Sequence, residues 1–351
     1  MPDTMLASVL HGRRDLRFEA RPIPTPGPDD ALVSVRSVGV CGSDLHFWDS
    51  GRVGSFEVRS PFVLGHESAG VVVEVGSAVK SLKPGDRVAL EPGVPCRRCR
   101  TCLSGRYNLC PNVFFMATPP DDGAFVEYLT HPADFCFRLP DHVSLDEGAM
   151  MEPLSVGLHA VRRAGIGAGS RVLITGSGTI GLTALLAARA AGATQIMVSD
   201  VNDARLRRAL ATGASAVVNS KTTPVADFVR DSTDGEGVDV VIECSGAQAA
   251  TNDGVASIRR GGVIVVVGLG RDMFELPLWK LIGHELDVRG VHRYTNTYPA
   301  AINLVASGQI RLKHLVTHHF SLSDVEKAME TAHTDLDNAV KVMVHPSMDR
   351  G

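Results

Sequence analysis

The sequence predicts an α/β fold, a doubly wound parallel sheet joined to a second, β-rich domain. Two observations lead there. From about residue 155, apolar runs of five or six residues alternate with helix-like stretches, the pattern of parallel strands covered on both faces by crossover helices. Before that point, short strand-like runs are broken by dense Gly and Pro, as in compact barrel-like β domains with long loops. A chain of 351 residues suits about two domains, each able to bury its own core.

In residues 1–154 the runs 31–36 (ALVSVR), 70–75 (GVVVEV) and 86–90 (DRVAL) predict strands, the first of them alternating. In residues 155–292, strands are expected at 171–175, 195–199, 216–219, 239–243 and 262–267, with helices at 179–191 and 205–211. Residues 293–351 hold two helical stretches, 300–307 and 322–332, and a closing strand, 339–344. This tail is short for a domain of its own and is expected to pack back on the N-terminal one.

Composition narrows the function. Lys and Arg number 35 against 39 Asp and Glu, a formal net charge of −4, so the chain lacks the basic excess of a nucleic-acid binder. With 44% hydrophobic and 21% charged residues it is globular rather than disordered. No run of 18 apolar residues is present, and residues 1–10 meet His11-Gly-Arg-Arg14 too early for a secretory signal. Of seven cysteines, four crowd between Cys96 and Cys110. That spacing points to a metal in a reducing, cytoplasmic setting rather than to a disulfide framework.

Gly176-Ser-Gly178-Thr-Ile180-Gly181 fits G-x-G-x-x-G, and it follows an expected strand and opens an expected helix. In a Rossmann unit such glycines allow a tight turn, close approach to a pyrophosphate, and close helix–sheet packing. The helix N-terminus then faces the phosphates. Asp200 ends the next strand, 19 positions after Gly181. Its carboxylate suits a ribose diol and repels a 2′-phosphate, which predicts NAD over NADP. Arg205 lies just beyond and can bear on the same ribose or a phosphate.

Cys96-x2-Cys99-x2-Cys102-x7-Cys110 can surround one tetrahedral zinc with four thiolates, a closed structural site. Arg97, Arg98, Arg100 and Arg106 would offset its negative charge. Redox dithiols or two disulfides would use the same Cys-x-x-Cys pairs. Cys41, in Cys41-Gly-Ser43-Asp-Leu-His46, stands apart from them. With Gly65-His66-Glu67 and Met151-Glu152-Pro153 it supplies thiolate, imidazole and carboxylate for a catalytic zinc with one open position. Zinc lowers the pKa of a bound alcohol, a nicotinamide can take its hydride, and Ser43 and His46 are suitable groups to relay the proton outward.

Gly65-His-Glu-Ser-Ala-Gly70-x5-Gly76-x2-Val79 resembles the signature of the zinc-containing medium-chain alcohol dehydrogenases, and the cysteine lobe and Gly176 turn fall where that family has them. The resemblance covers essentially the whole chain. It is greatest to the polyol (sorbitol/xylitol) dehydrogenases, through residues 41–48, 113–123, 151–157 and 292–298.

The resemblance implies a GroES-like catalytic domain built from both chain ends (1–154 with a structural zinc lobe near 93–112, and 293–351). Between these two segments of the sequence the central Rossmann domain spans 155–292. It also implies Cys41, His66 and Glu67 as zinc ligands. Glu152 either ligates the zinc or holds its water. Ile180, Leu269 and Val291 become further cofactor contacts, and Phe115, Thr118, Arg293 and Tyr294 line a substrate pocket. Phe47 stands where some relatives carry Tyr. The expected activity is zinc- and NAD-dependent oxidation of a polyol to a 2-ketose by a homodimer or homotetramer. L-threonine or butanediol oxidation, and a non-enzymatic relative, are the alternatives.

Overall fold

The computed structural model describes residues 3–270 and 273–346. The chain divides into two compact units, one of residues 1–152 with 298–351 and one of residues 153–297.

In the first unit, Thr4–Gly12 pairs antiparallel with Asp15–Pro22 and with Phe62–Val63. A larger sheet runs Cys136–Arg138, Arg87–Leu90, Glu67–Val75, Asp30–Gly39, Lys341–His345, Val316–Ser321, and Tyr128–Pro132 also pairs with Asp30–Gly39. The two chain ends are therefore neighbours in one sheet, with Val344 opposite Val38 and Met343 opposite Gly39.

Strand Asp30–Gly39 departs from the alternation expected of it, since Ala31 to Val35 are all buried. It is central in its sheet, and helix Leu145–Ala149 packs against it and against Glu67–Val75. A strand covered on both faces has no solvent side to mark with polar residues. The core beneath joins Val9, Val33, Phe62 and Phe125 to Val325, Met329 and Val342 from the C-terminal segment.

The second unit holds a six-stranded sheet in the order Ala216–Asn219, Gln195–Asp200, Arg171–Thr175, Val238–Glu243, Ile258–Val266, Asp287–Gly290. All its pairs are parallel. In sequence order this is 3-2-1-4-5-6, the doubly wound dinucleotide-binding arrangement. Helices Thr179–Ala190, Asp203–Thr212, Val225–Ser232 and Gln248–Ser257 make crossovers between its strands. The fifth strand begins at Ile258, earlier than the apolar run suggested, because Arg259 to Gly261 extend it with polar residues.

The return to the first unit starts at Tyr298 rather than at residue 293. Side-chain contacts explain the shift. Arg162 donates to the carbonyl of Asn296 at 2.8 Å, holding that stretch in the second unit. Tyr298 donates its hydroxyl to the carbonyl of Leu90 at 2.8 Å, and its ring lies against Phe137.

Helix Leu278–His284 and the edge strand Asp287–Gly290 carry Leu278, Trp279, Ile282 and Val288 exposed, Trp279 at 83%. No helix among the described residues is long and apolar enough to cross a membrane.

Candidate active site and metal centres

Strand Asp30–Gly39 ends just before Cys41, which caps helix Gly42–Ser50. Strand Glu67–Val75 starts opposite, with Glu67 paired to Gly39 and His66 just ahead of it. One ligand atom each of Cys41, His66 and Glu67 lies within 4.8 Å of the others. The expected thiolate, imidazole and carboxylate thus meet at the ends of two neighbouring strands.

Asp44 holds this corner together. It is fully buried. One carboxylate oxygen accepts from the Cys41 N–H at 2.9 Å, and the other accepts from the Gly65 N–H at 3.0 Å and lies 3.5 Å from His66 Nδ1. Burial by itself would lower the pKa of His66, yet the charges of Asp44 and Cys41 hold it well above the ordinary histidine value. The negative field that favours a proton here also favours a divalent cation, so the donor set fits zinc in charge as well as in chemistry.

Lys341 lies behind Glu67. Its ammonium donates to both carboxylate oxygens, at 2.6 and 2.8 Å, and to the carbonyl of Val40 at 2.9 Å. Both side chains are almost wholly buried, at 2% and 1%. Position 39 must be glycine, because a Cβ there would collide with the Glu67 carboxylate.

Ser43 and His46 lie one turn apart on helix Gly42–Ser50, Ser43 half-buried and His46 exposed. The Phe115 ring packs 5.7 Å from that of His66, and the Thr118 N–H donates to the Phe115 carbonyl. Glu152, in the first turn of helix Met151–Ala164, is buried but lies outside the three-residue donor set. Its charge is felt by Lys341 and Glu91. Phe47 turns its ring into the core, edge-on to Phe62 at 5.7 Å.

The cysteine lobe is closed by a hairpin that pairs Gly93–Val94 with Phe114–Phe115. Ligand atoms of Cys96, Cys99, Cys102 and Cys110 lie within 4.8 Å of one another. All seven cysteines are free. The Thr101 hydroxyl and the Cys102 N–H pull the Cys99 thiol down to about 6, favouring the thiolate that binds metal. Four converging sulfurs suit tetrahedral zinc. Arg97 pairs with Asp134 at 2.9 Å and lies over the Phe135 ring, tying the lobe to the turn Ala133–Phe135.

In the second unit, Gly176 takes a left-handed φ of 90°, Gly178 faces open space, and a Cβ at Gly181 would collide with the Gly176 carbonyl. These match, in order, the roles of tight turn, phosphate approach and close packing. Asp200 accepts from the Ser177 N–H and hydroxyl, at 2.7 and 2.8 Å, and from the Asn202 N–H at 3.0 Å. It therefore braces the glycine turn from the neighbouring strand. Ile180 is half-buried in the first turn of helix Thr179–Ala190, and Arg205 sits in helix Asp203–Thr212, its N–H donating to the Asn202 side chain.

Leu269 is exposed, and Val291 donates its N–H to Val266. Both follow the carboxyl ends of parallel strands, where open α/β sheets bind ligands. Arg293, at φ 53°, and the buried Tyr294 also belong to this unit.

Family profiles decide the lineage. Residues 27–141 match the alcohol dehydrogenase GroES-like domain, and residues 179–307 match the zinc-binding dehydrogenase domain. The chain belongs to the zinc-binding dehydrogenase family. It is 48% identical over 345 residues to the sorbitol dehydrogenase of Macaca fascicularis, covering 97% of this chain and 96% of that one.

Among solved structures it is similar to an Escherichia coli oxidoreductase/dehydrogenase of unknown specificity, at a TM-score of 0.94 and 38% identity over 97% and 99% of the two chains. It is also similar to L-idonate 5-dehydrogenase of Escherichia coli, at a TM-score of 0.90 and 31% identity over 97% and 98%.

The residues of this dehydrogenase that sequence reasoning missed are brace residues: Asp44, Lys341, Ser177 and Glu243. Glu243 is buried and accepts from the N–H groups of Ser245 and Gly246 at 2.8 and 2.9 Å. Only Asp44 carries a local signal, an acidic residue three positions after Cys41, the residue that caps helix Gly42–Ser50. Glu91 is a fifth. It is buried, Tyr107 of the cysteine lobe donates to it at 2.7 Å, and burial pushes its pKa up to about 7, against the Tyr107 bond and with the Glu152 charge adding to the rise.

A raised carboxyl pKa makes the protonated form the stabilising one. The Glu91 contribution is complete below its unfolded value of 4.5 and is lost as pH rises through about 7. The loss is on the order of 3 kcal/mol at one pKa unit per ~1.4 kcal/mol. Glu91→Gln should remove that slope. Denaturant melts of both zinc-loaded proteins across this range should show the variant gaining on the parent as pH rises. Parallel curves would show that Glu91 is ionised throughout.

Proposed function

We propose that the chain is an NAD-dependent polyol dehydrogenase, oxidising a secondary alcohol of a xylitol- or sorbitol-type substrate to the 2-ketose. The observation that carries this reading is the Cys41–His66–Glu67 donor set, in a chain 48% identical to a sorbitol dehydrogenase. Its hard carboxylate suits an oxygen-rich substrate. One zinc at this set and one in the cysteine lobe are proposed per chain. The catalytic zinc supplies Lewis acidity that favours loss of a hydroxyl proton near neutral pH, and the nicotinamide supplies the hydride acceptor.

The chain's own residues do the rest. Asp44 orients His66. Glu152, outside the three-residue donor set, holds a water or a substrate hydroxyl. Ser43 and the exposed His46 pass the proton from the buried corner to solvent. Phe115 shields the His66 ring from water, and Thr118, Arg293 and Tyr294 meet the substrate hydroxyls. Gly176, Gly178 and Gly181 admit the pyrophosphate. Asp200 takes the ribose diol with the oxygen capacity left by Ser177 and Asn202, Arg205 stands beside it, and Ile180, Leu269 and Val291 border the cofactor. Seven free thiols fit a cytoplasmic setting.

NADH formation should be most efficient with one of xylitol, sorbitol, arabinitol or ribitol. A lead for L-threonine, which Arg293 could anchor by its carboxylate, or for 2,3-butanediol would move the enzyme to a neighbouring activity. His66→Ala should lose one zinc and nearly all turnover. His46→Ala should keep both metals and NAD binding, oxidise slowly, and recover in part with small buffer bases. If His46→Ala strips the zinc and His66→Ala keeps it, ligand and relay are inverted.

Asp200→Asn keeps the shape of the brace and removes its charge. A unit charge at about 4 Å is worth up to about 4 kcal/mol at an effective dielectric of 20. A third of that is tenfold, the expected gain in NADP relative to NAD efficiency. Unchanged selectivity would take Asp200 out of the ribose site.

The exposed Leu278, Trp279, Ile282 and Val288 beside an edge strand support pairing of identical chains there, as a dimer or tetramer. Trp279→Glu should halve the assembly's mass or reduce it to a single chain in sedimentation equilibrium. An unchanged mass would place the interface elsewhere.

A further inference from the structure

We propose that Asp146, His319 and His345 form a third metal site, separate from the two donor sets above, for a borderline divalent cation such as zinc. Strands Val316–Ser321 and Lys341–His345 run parallel, with His319 opposite Met343 and Ser321 opposite His345. The two histidines are therefore diagonal neighbours on one face of the sheet. The site lies at the edge of that sheet, and Asp146 reaches it from helix Leu145–Ala149.

The donor atoms form a small triangle. His319 Nδ1 lies 2.9 Å from His345 Nε2, His345 Nε2 lies 3.7 Å from Asp146 Oδ1, and His319 Nδ1 lies 3.8 Å from Asp146 Oδ2. Ligands on a tetrahedral zinc with bonds of about 2.0–2.1 Å stand about 3.3 Å apart, so the edges bracket the required separation.

Two of the three donors are already oriented from behind. His345 Nδ1 lies 3.0 Å from the carbonyl of Arg36. A carbonyl only accepts, so Nδ1 carries the proton and a neutral His345 turns the lone pair of Nε2 toward His319 and Asp146. Metal-binding histidines are set up in this way, by a backbone carbonyl on the far nitrogen. The Ser37 hydroxyl donates to Asp146 at 2.6 Å and fixes the carboxylate. The third donor, His319, has a side chain 48% exposed and leaves an entry path. A hydrogen-bonded imidazole pair explains the 2.9 Å contact, but not the carboxylate that closes the triangle on both nitrogens.

A cation here would clip the edge strand to strand Lys341–His345 and to helix Leu145–Ala149, and so stabilise the folded chain by mass action. The probe is zinc chloride, added to protein already holding the zinc of its cysteine lobe and its Cys41 set. The parent should take up one further zinc per chain at micromolar free metal, and its melting temperature should rise with that uptake. His319→Ala and His345→Gln should each lose the extra zinc and the thermal shift, while keeping the original metal content, the melting temperature without added zinc, and full dehydrogenase activity. The proposal is overturned if uptake stops at the original content, if it occurs only at millimolar zinc, or if both variants bind the extra zinc as the parent does.

Discussion

The buried pair of Glu67 and Lys341 is the constraint on which the rest of the catalytic unit depends. It joins residues 274 positions apart in sequence, with both oxygens of one carboxylate on a single ammonium. Removing one partner of such a pair leaves a buried charge uncompensated, at about 3–5 kcal/mol. Three strands meet around it, since Gly39 faces Glu67 on one side and Met343 on the other. The C-terminal segment is thus part of the foundation of the Cys41–His66–Glu67 donor set. The pair also bears on the charge of this corner, since the ammonium offsets the Glu67 carboxylate while the buried Asp44 carboxylate adds negative charge beside Cys41 and His66.

The parts legible in the sequence were those whose signal is local. The glycine turn, the four-cysteine spacing and the Gly65-His66-Glu67 triplet each declare themselves within about a dozen residues, because turn geometry and tetrahedral ligation are short-range demands. The parallel strands were legible for a related reason, since burial on both faces writes an unbroken apolar run. Lys341 was not legible. A lysine among Val, Met and Val in a closing strand looks like a solvent-facing residue, and only the pairing of that strand with Asp30–Gly39 turns it inward. The same holds for His319 and His345, which are unremarkable histidines until the register between their strands puts them on one face.

The misplaced boundary has a similar origin. Residues 293–297 lack an apolar period, so nothing in them marks membership of either unit. Long-range hydrogen bonds mark it instead, through Arg162 before the boundary and Tyr298 after it. Phe47 and its helix neighbour Trp48 both turn into the core, a placement set by packing rather than by the motif around them.

A common device runs through both units. Asp44, Asp200 and Glu243 are buried carboxylates that each accept backbone N–H groups beside a site, and Asp44 and Asp200 each clamp two separate stretches of chain. Anionic acceptors form stronger hydrogen bonds than neutral ones and lose more if a partner moves. Each clamp therefore holds turns that carry few apolar side chains and could not be fixed by packing. The Cys41 and His66 corner is rigid for that reason, and so is the glycine turn beneath Asp200. A single aspartate in each place serves as structural brace and as source of the local field, so fold and electrostatics at these sites cannot be tuned apart.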